Sequence, residues 1–181
     1  MKKALLNSVL FFTVLVVSAQ RGENYASSIG VSAGYVEDGL GFMATYNYHL
    51  NRKTYAQLNV FVAIAEDKGT FEIPYNIFTV QPGYFIKVWE QPSFKRYTLN
   101  IGGGGVIGYE SINNGNNTLY TGAIIDAESQ LIYGVFVGLE GEIILENNFT
   151  ILIKANEYYH ANSDIGKFYP YAGIGLRYFL F

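Results

Sequence analysis

The sequence predicts an all-β fold, a closed antiparallel up-and-down barrel of about eight strands that crosses a membrane. Three observations predict it. Charged residues make up only 15% of the 181, against roughly a quarter in ordinary soluble domains, while aromatics reach 17% with 16 Tyr and 13 Phe. Apolar and polar residues alternate with a period of two in eight successive segments. One face of each segment is aliphatic or aromatic, and the other is small and polar. A soluble sandwich would carry Lys and Glu outward; apolar-out and polar-in is the pattern of a barrel in lipid.

The N-terminus comes first. Lys2 and Lys3 precede an apolar run from Ala4 to Val17, and Val17-Ser18-Ala19 offers small residues for cleavage. This predicts a signal peptide over 1–19 and a single barrel domain over 20–181. The run is shorter than the roughly 20 residues of a spanning helix. No later segment could span as a helix, so entry into a bilayer requires a closed barrel, in which no strand edge is left unpaired in hydrocarbon.

The segments follow in order. Ser27 to Tyr35 sets Ile29, Val31, Ala33 and Tyr35 against Ser28, Gly30, Ser32 and Gly34. Leu40 to Leu50 sets Leu40, Phe42, Ala44, Tyr46 and Tyr48 against Thr45, Asn47 and His49. Tyr55 to Ala65 sets Leu58, Val60, Val62 and Ile64 against Tyr55, Gln57, Asn59 and Phe61. Ile77 to Val88 sets Phe78, Val80, Tyr84, Ile86 and Val88 against Thr79, Gln81, Gly83 and Lys87; Pro82 within it predicts a bulge or a locally weak ladder.

Tyr97 to Tyr109 sets Tyr97, Leu99, Ile101, Ile107 and Tyr109 against Thr98, Asn100 and glycines. Leu131 to Leu145 sets Leu131, Tyr133, Val135, Val137, Leu139, Ile143 and Leu145 against Gly134, Gly138, Glu140 and Glu142. Phe149 to His160 sets Phe149, Ile151, Ile153 and Tyr159 against Thr150, Lys154, Asn156 and His160. Phe168 to Phe181 sets Ile174, Leu176, Tyr178 and Leu180 against Gly173, Gly175 and Arg177. Phe179 and Phe181 break the parity of this last segment, which predicts a bulge. Tyr35, Tyr46, Tyr48, Tyr97, Tyr109, Tyr133 and Tyr159 fit interfacial girdles.

The connections read as 36–39, 51–54, 66–76, 89–96, 110–130, 146–148 and 161–167. With the N-terminus in the periplasm, the odd connections face outward and, apart from the first, read as the longer ones, as outer-membrane barrels have them. The 110–130 connection has a polar tip (Ser111 to Thr118) and an apolar return (Leu119 to Ile125). It predicts a loop that packs on the rim or meets a partner.

Several chemistries are excluded or disfavoured. Without cysteine there is no disulfide, zinc-thiolate site, Cys nucleophile or lipidated N-terminal Cys. A net charge of −3 argues against nucleic-acid binding, and the basic segment around Lys95 and Arg96 is too short to be an electrostatic footprint. Gly103, Gly105 and Gly108 match a dinucleotide fingerprint by letters, but they continue a strand and do not open a helix. His49 and His160 are the only histidines. His160, near Glu157, Ser163 and Asp164, would serve a lipid-modifying hydrolase, but no nucleophile stands at a distinctive spacing. Asp126 with Glu128, and Glu66 with Asp67, read as solvated loop charges. No catalytic, cofactor or metal site is expected.

Glu140, Glu142, Lys154 and Arg177 all fall on the lumen face of consecutive strands. An eight-stranded barrel is just wide enough for side chains to fill. The four are therefore expected to pair and plug the interior, and a pore is disfavoured.

Tyr133-Gly134-Val135-Phe136-Val137-Gly138-Leu139-Glu140-Gly141-Glu142 resembles the TraO family of conjugative-transposon transfer proteins. So do Gly108-Tyr109-Glu110, Gly122-Ala123-Ile124-Ile125 and Gly173-Ile174-Gly175-Leu176-Arg177. The resemblance covers most of the chain beyond the signal peptide. It implies a structural or interaction role in an outer-membrane part of a mating apparatus, with outer-membrane lipid and other proteins of that apparatus as partners. A generic barrel for adhesion or envelope stability, and a lipid-modifying enzyme, are the rival expectations.

Overall fold

In the computed structural model, residues 27–68, 72–93, 96–116, 122, 124, 127–145 and 148–180 are described. Eight strands follow one another: β1 (Ser27–Val36), β2 (Gly39–His49), β3 (Thr54–Lys68), β4 (Glu72–Glu90), β5 (Tyr97–Ile112), β6 (Gln130–Ile144), β7 (Phe149–His160) and β8 (Phe168–Leu180). Each pairs antiparallel with its sequence neighbours, and β8 returns to β1 to close the barrel. The closing seam runs without a shift from Ser27↔Leu180 to Val36↔Tyr171. The bulge expected near Phe179 is therefore absent. Phe179 keeps the inward parity of Arg177 and meets the His49 ring at 5.5 Å. Phe181, Lys95 and the expected signal peptide over 1–19 lie outside the described residues.

Alternation forms this fold because a period of two sends every second side chain to the same face. Outward stand Val31, Val60, Val137 and Ile174, each at least half exposed. Inward stand Asn59, Gln81, Glu140 and Arg177, each fully buried. Such a continuous apolar exterior on a closed barrel is a lipid-facing belt. Exposed aromatic residues mark both its edges. Tyr109, Tyr133, Tyr159 and Phe168 lie toward the end that carries the 161–167 connection, and Trp89, Tyr97 and Phe149 toward the opposite end.

Local chemistry fixes the turns. Glu37 and Asp38 join β1 to β2, with Asp38 at φ 58, a left-handed conformation that Asp tolerates better than most residues. At the other end, Asn51 Oδ1 accepts the backbone N–H groups of Lys53 at 2.8 Å and Thr54 at 3.0 Å. Leu50 N–H donates to Thr54 O at 3.0 Å and shuts the β2–β3 turn.

The structure differs from the expectation in two further places. Three strands run further outward than the alternation count gave: β3 reaches Lys68, β4 begins at Glu72 and β5 continues through Ile112. Tyr75, Ile77, Glu110 and Ile112 extend the inward face there, so the 66–76 and 110–130 connections are shorter than read. Pro82 does not cause a bulge. It lies opposite Leu58 in the β3–β4 ladder, while β4–β5 pairing lapses between Val80↔Ile107 and Gly83↔Gly104 with the register unchanged. That lapse is the locally weak ladder that a missing N–H produces. The register shifts instead between Lys87 and Trp89.

Candidate functional site

The lumen is filled in two layers of different chemistry. In the half near the β2–β3, β4–β5 and β6–β7 turns, the strands bring Glu140, Glu142, Lys154 and Arg177 together. Glu140 is the hub: it accepts Lys154 Nζ at 2.7 Å on one oxygen and Arg177 Nη2 at 2.6 Å on the other. Arg177 Nη1 pairs with Glu142. Neutral donors complete the shell. Tyr55 Oη donates to Glu140 at 2.7 Å, Gln57 Nε2 at 2.8 Å, and Thr98 Oγ1 donates to Glu142 at 2.7 Å. The guanidinium carbon lies 5.4 Å from the centre of the Tyr55 ring, a cation–π distance. Two carboxylates and two cations neutralise each other, so the group can be buried without a net charge in the lumen.

Above this network the lumen is aromatic. Phe61 packs on Tyr158 at 5.5 Å and Tyr171 at 5.3 Å, and Phe136 bridges Phe85 and Tyr158. Their hydroxyls stay satisfied: Tyr158 Oη donates to Gln81 at 3.2 Å and Tyr171 Oη to Ser32 at 2.9 Å. Ile73, Ala127 and Ile165 pack against this core from the outer end and cover it.

The 161–167 connection folds across that outer end. Ser163 Oγ donates to Glu110 at 2.8 Å, and Asp164 N–H donates to the other carboxylate oxygen at 3.4 Å. Asn162 holds Tyr133 N–H at 3.1 Å and Leu131 O at 2.6 Å, and Glu128 N–H donates to Asp164 at 3.3 Å. Glu110 is fully buried at the end of β5. Sequence reading placed Glu110 at the start of a loop and missed this role; the inward parity it shares with Gly108 was the available signal.

The groups considered around His160 are not brought together. Period two puts Glu157 on the outer face and His160 on the inner one. Ser163 and Asp164 turn to Glu110, and His160 Nδ1 has no hydrogen-bond partner among the described residues. His49 sits at the opposite mouth, 3.4 Å from Ser28 Oγ. Gly103, Gly105 and Gly108 run through the middle of β5, with no helix to receive a phosphate. Asp126 and most of the apolar return of the 110–130 connection lie outside the described residues, while Ile124 within it is exposed and Ala127 reaches the core. Among the described residues, no three His, Cys, Asp or Glu side chains converge as a metal site would require.

The comparisons follow the geometry. The family described as conjugative transposon protein TraO matches residues 15–180. A search of curated proteins finds no sequence match. Among solved structures, the chain is similar to the N-terminal β-barrel domain of Pseudomonas aeruginosa OprF, at 13% identity and TM-score 0.60, covering 86% of this chain and 98% of that one. It is similar to Neisserial surface protein A at 11% identity and TM-score 0.60, covering 88% and 100%. It is also similar to Ail, the attachment invasion locus protein of Yersinia pestis, at 14% identity and TM-score 0.57, covering 86% and 99%.

Proposed function

The chain belongs to the TraO family of conjugative transposon proteins, and we propose that it serves the mating apparatus as an outer-membrane anchor that works through its outer surface. In this reading a signal peptide exports the chain, the barrel lodges it in the outer membrane with both termini periplasmic, and the outer connections meet other apparatus proteins. It performs no catalysis and conducts nothing.

The filled lumen carries the reading. Glu140, Lys154 and Arg177 block one half, Phe61, Phe136, Tyr158 and Tyr171 the other, and Ile165 lies over the outer end. A closed interior leaves the exterior and the rims as the surfaces available for function. Similarity to outer-membrane barrels supports the location through the fold.

The test is transfer frequency from donors that lack the gene. Complementation with the native chain restores transfer in this reading. Complementation with a barrel whose β5–β6 connection is replaced over 114–126 by a short Gly-Ser turn restores the outer-membrane barrel and not transfer. Normal transfer from the deletion strain would refute the assignment.

A further inference from the structure

The lipid-facing belt carries a concave region among the described residues. It is a groove of about 970 Å³ along β6, β7, β8 and β1, open to the membrane. Two adjacent hydrogen-bonded rows build it. In the first, Leu139 pairs with Ala155, Ala155 with Ala172 and Ala172 with Tyr35. In the second, Val137 pairs with Glu157 and Glu157 with Pro170, with Glu37 just beyond. Large side chains flank the centre, and small ones floor it.

Glu157 is the decisive residue. It points outward and is exposed. It lies two residues deeper than Tyr159 of the girdle, a step of about 7 Å along a strand. Among the described outward-facing residues between the two girdles it is the charged one; the others are apolar, small or aromatic. A carboxylate facing hydrocarbon costs free energy unless it is paired, and among the described residues Glu157 has no ion pair.

We propose that this groove seats an apolar segment of a different protein, one that carries a lysine or arginine at the depth of Glu157. Charge selects this occupant over the others. Outer-leaflet lipid brings phosphate toward Glu157 and Glu37, which repel it. A second copy of this chain offers no cation from the described part of its belt, and a symmetric contact would set Glu157 near its own equivalent. A cationic apolar segment fills the volume over Ala155 and Ala172, as small residues allow close approach in membranes, and neutralises Glu157. The inference rests on the mating-apparatus reading, because that apparatus supplies the partner.

The experiment places a photo-crosslinking amino acid at Ala155 in donor cells carrying the whole transfer region. The expected adduct is with a protein other than a second copy. Glu157→Lys removes it, and changing the partner's cation to Glu restores it in the Glu157→Lys background. Ala172→Trp, which fills the floor, lowers transfer by about tenfold or more, with the unboiled gel mobility unchanged. Val80→Trp, on β4 across the barrel, leaves transfer as it was. An adduct with lipid alone or with a second copy overturns the proposal. So does normal transfer with Ala172→Trp where the gene deletion abolishes it. If the deletion itself leaves transfer intact, the mating reading fails, and the adduct pattern alone decides the groove.

Discussion

Arg177→Met separates a structural ion network from a loose set of lumen charges. Arg177 is fully buried and bonds both Glu140 and Glu142. Methionine approximates its stem in volume but donates nothing. Glu140 keeps Lys154, Tyr55 and Gln57, whereas Glu142 keeps a single hydrogen bond from Thr98. Removing one partner of a buried pair leaves an uncompensated charge and costs about 3–5 kcal/mol. With a urea slope of about 2 kcal/mol per molar, the unfolding midpoint should fall by roughly 1.5–2.5 M. The assay is urea unfolding of the barrel refolded in lipid vesicles, followed by the fluorescence of Trp89, the single tryptophan, which sits exposed at the girdle. Arg177→Met with Glu142→Gln should recover most of the loss, because the orphaned charge is gone. A loss below about 0.5 kcal/mol in the single variant, as expected for an exposed pair, would refute the buried network. So would a double variant weaker than the single one.

Three further predictions follow from the same geometry. Ser163→Ala removes a hydrogen bond to the Glu110 carboxylate worth about 1.5–3 kcal/mol; protease should cut the 161–167 connection faster while the barrel's heat-modified mobility stays the same. Gly134→Ala drives a Cβ into the Tyr159 carbonyl, whereas Gly105→Ala meets nothing within 4 Å; unfolding should show a loss of about 1–3 kcal/mol for the first and almost none for the second. Val60→Arg places a charge at the middle of the outward face of β3; insertion into vesicles should weaken by about 2–4 kcal/mol, and an unchanged equilibrium would refute the lipid-facing belt.

The barrel was legible because its determinants are local. Alternation depends on residues two apart, and Ile29-Gly30-Val31 or Leu139-Glu140-Gly141 declares its faces without knowledge of any partner strand. The same parity placed Glu140, Glu142, Lys154 and Arg177 inside. Short-range reading failed where pairing is long-range. The Ser163–Glu110 bond joins residues 53 apart, and no pattern in 161–167 names its acceptor. The lapse opposite Pro82 and the shift beside Trp89 depend on which residues of β5 face them. The disfavoured grouping of Glu157 with His160 could have been dismissed from parity alone. Grouping the two by sequence distance ignored the odd spacing of three, which in a strand separates two side chains onto opposite faces.

That separation also locates where function can lie. A charged side chain inside this barrel meets a complement supplied by the chain itself, as Glu140 does with Lys154 and Arg177. Glu110, at the outer end, has no cation beside it among the described residues but receives hydrogen bonds from Ser163 Oγ and Asp164 N–H. Glu157 on the belt receives no such complement. A lumen that satisfies its own charges is finished as a structure, whereas an exterior acid in an apolar groove is completed from outside. The physical asymmetry between Glu140 and Glu157 is the ground on which the proposal of a partner at the groove stands.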